Sequence, residues 1–151
     1  MSLKVGDAIP KFTAKDSHGN DFDSQKFVGQ KPLVIYFYPK DNTPGCTTQA
    51  CSFRDQYEDF KDLGAEVIGI SSDSEKSHEQ FSARYGLPFI LLSDQDKSIR
   101  KLFGVSSDYL GLLPGRTTYV VDKSGIITYI FDSTSAANHI PNALAAIKKQ
   151  I

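Results

Sequence analysis

The chain has 151 residues, 40% of them apolar and 23% charged, and its 17 basic and 18 acidic residues leave a net charge of −1. A chain of this size is expected to form one domain, 1–151, with its own core, and its composition excludes a disordered chain or a coiled coil. The lack of basic excess removes the electrostatic basis for binding nucleic acid, and the longest apolar run, Leu33 to Tyr38, is far short of the roughly 20 residues that span a bilayer.

The first segments, Phe12 to Lys15 and Asn20 to Phe22, flank the turn Asp16-Ser17-His18-Gly19 and predict a hairpin. Leu33 to Tyr38 is apolar or aromatic throughout and predicts a central strand buried on both faces. The period then changes. Cys46, Ala50, Phe53, Tyr57, Phe60 and Leu63 recur every three or four residues, which predicts an amphipathic helix of about five turns ending at Gly64. Beyond it come a strand at Glu66 to Ile70, a helix at Ser77 to Tyr85, a strand at Phe89 to Leu92 and a short helix at Lys97 to Phe103. Gly104 to Arg116 has no pattern of its own, and a connection that long is often functional. Thr117 to Val121 and Ile126 to Phe131 predict a second hairpin, and Pro141 is expected to open the last helix, with Leu144 and Ile147 facing inward.

Alternating β and α elements predict a mostly parallel sheet with an antiparallel edge from the late hairpin. A thioredoxin-like α/β sandwich satisfies the order: a central mixed sheet flanked by helices, with an N-terminal β-hairpin.

Cys46 and Cys51 are too few for a secreted disulfide framework, so two close cysteines suggest catalytic, redox or metal-binding use. Cys46 follows a Pro/Gly-rich turn at the end of the predicted central strand, where open α/β sheets place their sites. Asn42 or Thr43 can cap the helix, and Pro44 suits its first position. Cys46 then lies in the first turn, where free N–H groups and the helix dipole favour a thiolate. On spacing alone, a buried structural cysteine on the apolar stripe fits equally well. Metal is not expected: Cys46 and Cys51 supply two ligands, and His18, His78 and His139 have no ligand spacing to them. Asp55, Glu58, Asp59 and Asp62 read as a solvated helix face, and Ser71-Ser72-Asp73-Ser74 as a cap for the next helix.

Pro39, Thr43 and Cys46 spell Pro-x-x-x-Thr-x-x-Cys, the active-site signature of the peroxiredoxins. The wider stretch from Tyr36 to Asp55 resembles the Q-type branch, also called bacterioferritin comigratory proteins. The resemblance continues through Gly64 to Ser71, Leu91 to Asp94 and Leu113 to Asp122. It implies a thiol peroxidase acting on hydrogen peroxide and organic hydroperoxides, with Cys46 as the peroxidatic residue. Thr43 would aim its hydroxyl at the sulfur and the bound peroxide, Pro39 would shield the pocket, and Arg116 would supply the active-site cation. Without the resemblance, Arg116 reads as a surface arginine. Gln49 stands where many peroxiredoxins carry Glu and ranks below these four as a substrate contact. Cys51 matches the branch's resolving position, which implies an intramolecular Cys46–Cys51 disulfide reduced by thioredoxin or a similar dithiol protein.

No cofactor is expected, and neither nucleic acid nor membrane is an expected partner. A monomer is expected. The N-terminal Met1 to Pro10 lacks a secretory apolar core, so a cytoplasmic location is expected, with the chloroplast as alternative if a transit peptide has been removed. Two other functions fit less well. A dithiol–disulfide exchange protein without peroxidase activity has no need of Thr43, and a non-enzymatic binder, such as a holdase or a redox-dependent interaction module, would show neither peroxide-dependent thioredoxin oxidation nor disulfide reduction.

Overall fold

In the computed structural model of the chain, the described residues are 3–38, 41, 44–105, 107–108, 113–114, 117–132 and 139–149. The N-terminal hairpin forms as β1 (Thr13–Asp16) and β2 (Asp21–Asp23), with Ala14 opposite Phe22. Its turn is closed by the Asp16 carboxylate, which accepts from the amides of His18 and Asn20 at 2.9 Å each. The apolar run becomes β3 (Leu33–Phe37), followed by α1 (Pro44–Asp62), β4 (Glu66–Ser71), α2 (Glu75–Tyr85), β5 (Ile90–Ser93) and α3 (Ser98–Phe103). Two short strands follow, β6 (Ser107–Asp108) and β7 (Leu113–Pro114), then the hairpin β8 (Thr117–Val121) and β9 (Ile127–Asp132) and the last helix, α4 (His139–Lys149).

Seven strands form one open mixed sheet in the order β2-β1-β5-β4-β3-β8-β9. The expectation of a mostly parallel sheet needs correction. Within this sheet, only β3–β4 and β4–β5 pair parallel, and the other four pairings are antiparallel. Only the two helical crossovers α1 and α2 force parallel neighbours, while a hairpin closes each end of the sheet. Most strand ends shift by one residue, and two helices and one connection differ further. α2 starts at Glu75 because the Ser74 hydroxyl accepts from the Ser77 amide at 3.1 Å and caps it there. α4 starts at His139, leaving Pro141 in its first turn, where a missing N–H costs nothing. The span from Gly104 to Arg116, expected to be patternless, holds the antiparallel β6–β7 pair.

Period-two burial along β3 splits the core. Val34, Tyr36 and Tyr38 face Ala50, Phe53 and Phe60 of α1, Phe81 of α2 and Ile147 of α4. Leu33, Ile35 and Phe37 face Phe12, Phe22, Ile99, Phe103 and Tyr119. Every β3 side chain is at most 1% exposed, as a strand covered on both sides requires. Gly69 on β4 permits the tightest contact in this core. A Cβ there would lie 2.8 Å from the Tyr36 ring and 2.9 Å from Leu91. Gly69→Ala is therefore expected to destabilise the fold by about 1–3 kcal/mol through overpacking, measured by chemical denaturation.

Candidate active site

The central strand and the longest helix meet at the site. β3 ends at Phe37, and α1 begins seven positions later at Pro44. Proline suits that position, because the first helical N–H has no partner to lose. Cys46 is the third residue of α1 and is 1% exposed. It shares the α1 stripe that buries Ala50, Phe53, Tyr57 and Phe60. The two sequence readings of Cys46 thus coincide: its side chain is part of the core, and its backbone is in the turn where N–H groups point outward along the axis.

Cys51 lies on the same unbroken helix, is partly exposed, and is a reduced thiol like Cys46. Gln49 is fully buried beside them in α1. The acidic face of the helix is solvated as expected, with Asp55, Glu58, Asp59 and Asp62 all exposed. Three of the expected site residues, Pro39, Thr43 and Arg116, lie outside the described residues, as does the alternative cap Asn42. Thr117, which follows Arg116 in sequence, pairs with Phe37 at the end of β3.

Two features of this region have no signal in the sequence pattern. The first is Arg100 on α3, 7% exposed, whose guanidinium lies 5.7 Å from the Phe37 ring centroid and donates to the Tyr38 carbonyl at 3.5 Å. Burial lowers its pKa from the ordinary arginine value, opposed by the charge of Asp94. The Asp94 carboxylate accepts the amides of Ile99 and Arg100 at 2.9 Å each, which positions the first turn of α3.

The second is a buried polar network on Asp41. The Tyr38 hydroxyl donates to Asp41 Oδ1 at 2.6 Å, the Ser77 hydroxyl donates to Oδ2 at 2.8 Å, and His78 Nδ1 lies 2.7 Å from Oδ2. Burial, reinforced by the nearby Tyr36 and Asp41, raises the Tyr38 pKa well above the usual tyrosine value, so this phenol stays a donor. Donor atoms of Asp41, Asp73 and His78 lie within 4.8 Å of one another. The 2.7 Å Nδ1–Oδ2 separation is a hydrogen-bond length, shorter than the roughly 3.4 Å between ligand atoms around a tetrahedral ion with bonds of about 2.1 Å. The cluster is therefore arranged around protons.

The model of the AhpC/TSA family matches residues 5–130. Peroxiredoxin Q of the chloroplast of Sedum lineare is 51% identical over 144 residues, which cover 95% of this chain and 77% of that protein. Among solved structures, the peroxidoxin BcpB of Mycobacterium tuberculosis superposes with a TM-score of 0.89 at 33% identity, covering 97% of each chain. The bacterioferritin comigratory protein of Xanthomonas campestris, studied for alkyl peroxide reduction, superposes with a TM-score of 0.85 at 32% identity, covering 95% of this chain and 98% of that one.

Proposed function

This chain belongs to the AhpC/TSA family and is a thiol-dependent peroxidase of the peroxiredoxin Q type, and on that premise we propose that Cys46 and Cys51 carry its complete cycle within one chain. The observation that carries this reading is the pair itself: one thiol buried in the first turn of α1, the other partly exposed five residues later on the same helix.

The Cys46 thiolate attacks one oxygen of a hydroperoxide and breaks the O–O bond. The sulfur keeps one oxygen as sulfenic acid, and the other leaves as an alkoxide or hydroxide that takes a proton to become alcohol or water. Thr43 orients the peroxide, Pro39 shields it, and Arg116 stabilises the charge that develops on the oxygens. The pairing of Thr117 with Phe37 supports this placement of Arg116. Gln49, buried in the same helix, is the weaker candidate for a contact. Cys51 then attacks the Cys46 sulfur, water leaves, and a disulfide forms. Thioredoxin or a similar dithiol protein transfers two electrons and two protons to restore both thiols. The alkyl peroxide reduction of the Xanthomonas campestris protein supports organic hydroperoxides as well as hydrogen peroxide as substrates.

The seven-stranded sheet, which draws strands from residue 13 to residue 132, supports a single domain over 1–151. Among the described residues, the exposed large apolar side chains are Val5 and Leu102, which supports a monomer. No helix among the described residues is long and apolar enough to cross a membrane. The chloroplastic plant relatives support the chloroplast alternative over the cytoplasm.

The test is a coupled assay with thioredoxin, its reductase and hydrogen peroxide. The expected result is peroxide-dependent oxidation of thioredoxin that disappears in Cys46→Ser. Disulfide reduction that proceeds without peroxide would instead identify a dithiol exchange protein, and peroxide consumption surviving in Cys46→Ser would remove Cys46 from the reaction.

A further inference from the structure

The turn leading from β3 to α1 passes through Asp41, five residues before Cys46. Asp41 is held from four elements at once. Tyr38 reaches it from the end of β3, and Ser77 and His78 reach it from α2. Its backbone N–H donates to Asp73 Oδ2 at 2.8 Å, beyond the end of β4, and that oxygen also accepts the Ser71 hydroxyl at 2.8 Å. The fourth tie is indirect: His78 Nε2 lies 2.9 Å from the carbonyl of Leu92 on β5.

Counting protons shows what His78 does. A carbonyl can only accept, so Nε2 carries a hydrogen toward Leu92. Nδ1 faces a carboxylate oxygen, and two lone pairs at 2.7 Å would repel, so one proton sits in the Nδ1–Oδ2 bridge. Both side chains are at most 1% exposed, so water cannot replace either partner and substrate cannot reach them. A buried pair of this kind contributes little net stability but penalises every arrangement in which it is broken.

We infer that His78 is a positioning residue for peroxide reduction. Through the proton it shares with Asp41 it holds that residue, five positions ahead of Cys46, in a single place relative to α2 and β5. The inference rests on the reading of Cys46 as the attacking thiol. It explains why the sequence places a histidine on the inner face of α2, three residues before the fully buried Phe81. The anchor also lies outside the helical segment that joins the two cysteines, so it gives α1 a fixed point from which to re-form after each turnover.

Two substitutions separate this role from simple space-filling. In His78→Asn the amide nitrogen stands near the Nδ1 site and can still donate to Asp41. In His78→Gln it reaches instead toward the Leu92 carbonyl. The rate of peroxide attack is read by single-turnover rapid quench, and disulfide formation from the sulfenic acid is read separately. His78→Gln is expected to slow attack by about tenfold or more, as displaced reacting groups do, whereas His78→Asn stays within about threefold of wild type. Neither is expected to slow disulfide formation, which proceeds from the opened helix. Wild-type attack in both variants, slow attack in both, a faster Gln than Asn variant, or an Asn variant that does not fold overturns the inference. Cys46→Ser is the control. Peroxide consumption surviving there overturns the proposed function together with this inference, whereas an essential Cys46 with an undiminished His78→Gln overturns the positioning role alone.

Discussion

Cys51→Ser is expected to consume one peroxide per chain and then stop at the Cys46 sulfenic acid. Thioredoxin-linked turnover should fall by at least about a hundredfold, because an intramolecular thiol acts at an effective concentration that no free thiol reaches. The effect is this large because Cys46 is 1% exposed: a protein reductant has no path to a sulfur inside the core. A small thiol can retain part of the activity by reaching the sulfenic acid directly. Peroxide stoichiometry by mass spectrometry, together with the coupled assay, checks both halves. Full turnover with thioredoxin in this variant would show that some other thiol resolves Cys46.

The second large effect is on α1 itself. The helix runs unbroken from Pro44 to Asp62 with both cysteines reduced. Five residues of α-helix correspond to a rise of about 7.5 Å and a rotation of about 140°, so the two Cα atoms lie roughly 8.6 Å apart on nearly opposite faces. A disulfide needs Cα atoms within about 7 Å and converging Cβ vectors. Closing a Cys46–Cys51 disulfide therefore requires the first turns to unwind, with Gly45 well suited to the change of dihedral angles. The packing sets the limit of the opening. Phe53 is fully buried and stacks on Tyr36 with centroids 4.5 Å apart, and extracting such a ring costs about 3–5 kcal/mol. Arg54 Nη1 donates to the Tyr85 carbonyl at 2.8 Å and ties the next position to α2. Each helical amide bonds to the carbonyl four residues back, so unwinding through Cys51 frees amides as far as residue 55. Hydrogen exchange over 45–55 should rise sharply from the reduced to the disulfide form, while amides beyond that segment and the Asp41 anchor keep their protection. Equal protection over 45–55 in both forms would rule out unwinding.

Residue spacing along the chain was enough to locate α1 to α4 and the seven strands of the main sheet, to set Cys46 at the start of α1 and to sort the wet from the buried faces of α1, but it missed the short β6–β7 pair. These properties repeat at short range, and side-chain spacing of two or of three to four residues records them directly. The resemblance around Pro39, Thr43 and Cys46 was legible for the same reason: the signature lies within eight consecutive residues. Tertiary structure alone decided how the strands pair, because antiparallel neighbours at both ends of the sheet depend on which hairpin docks beside which crossover. It alone brought His78 to Asp41 across 37 residues and Arg100 to Tyr38 across 62. A lone histidine or arginine on a helix leaves no periodic trace of its partner. Its role exists only once the core has removed water and left one acceptor within reach, and that condition is a property of the packed molecule rather than of any segment of it.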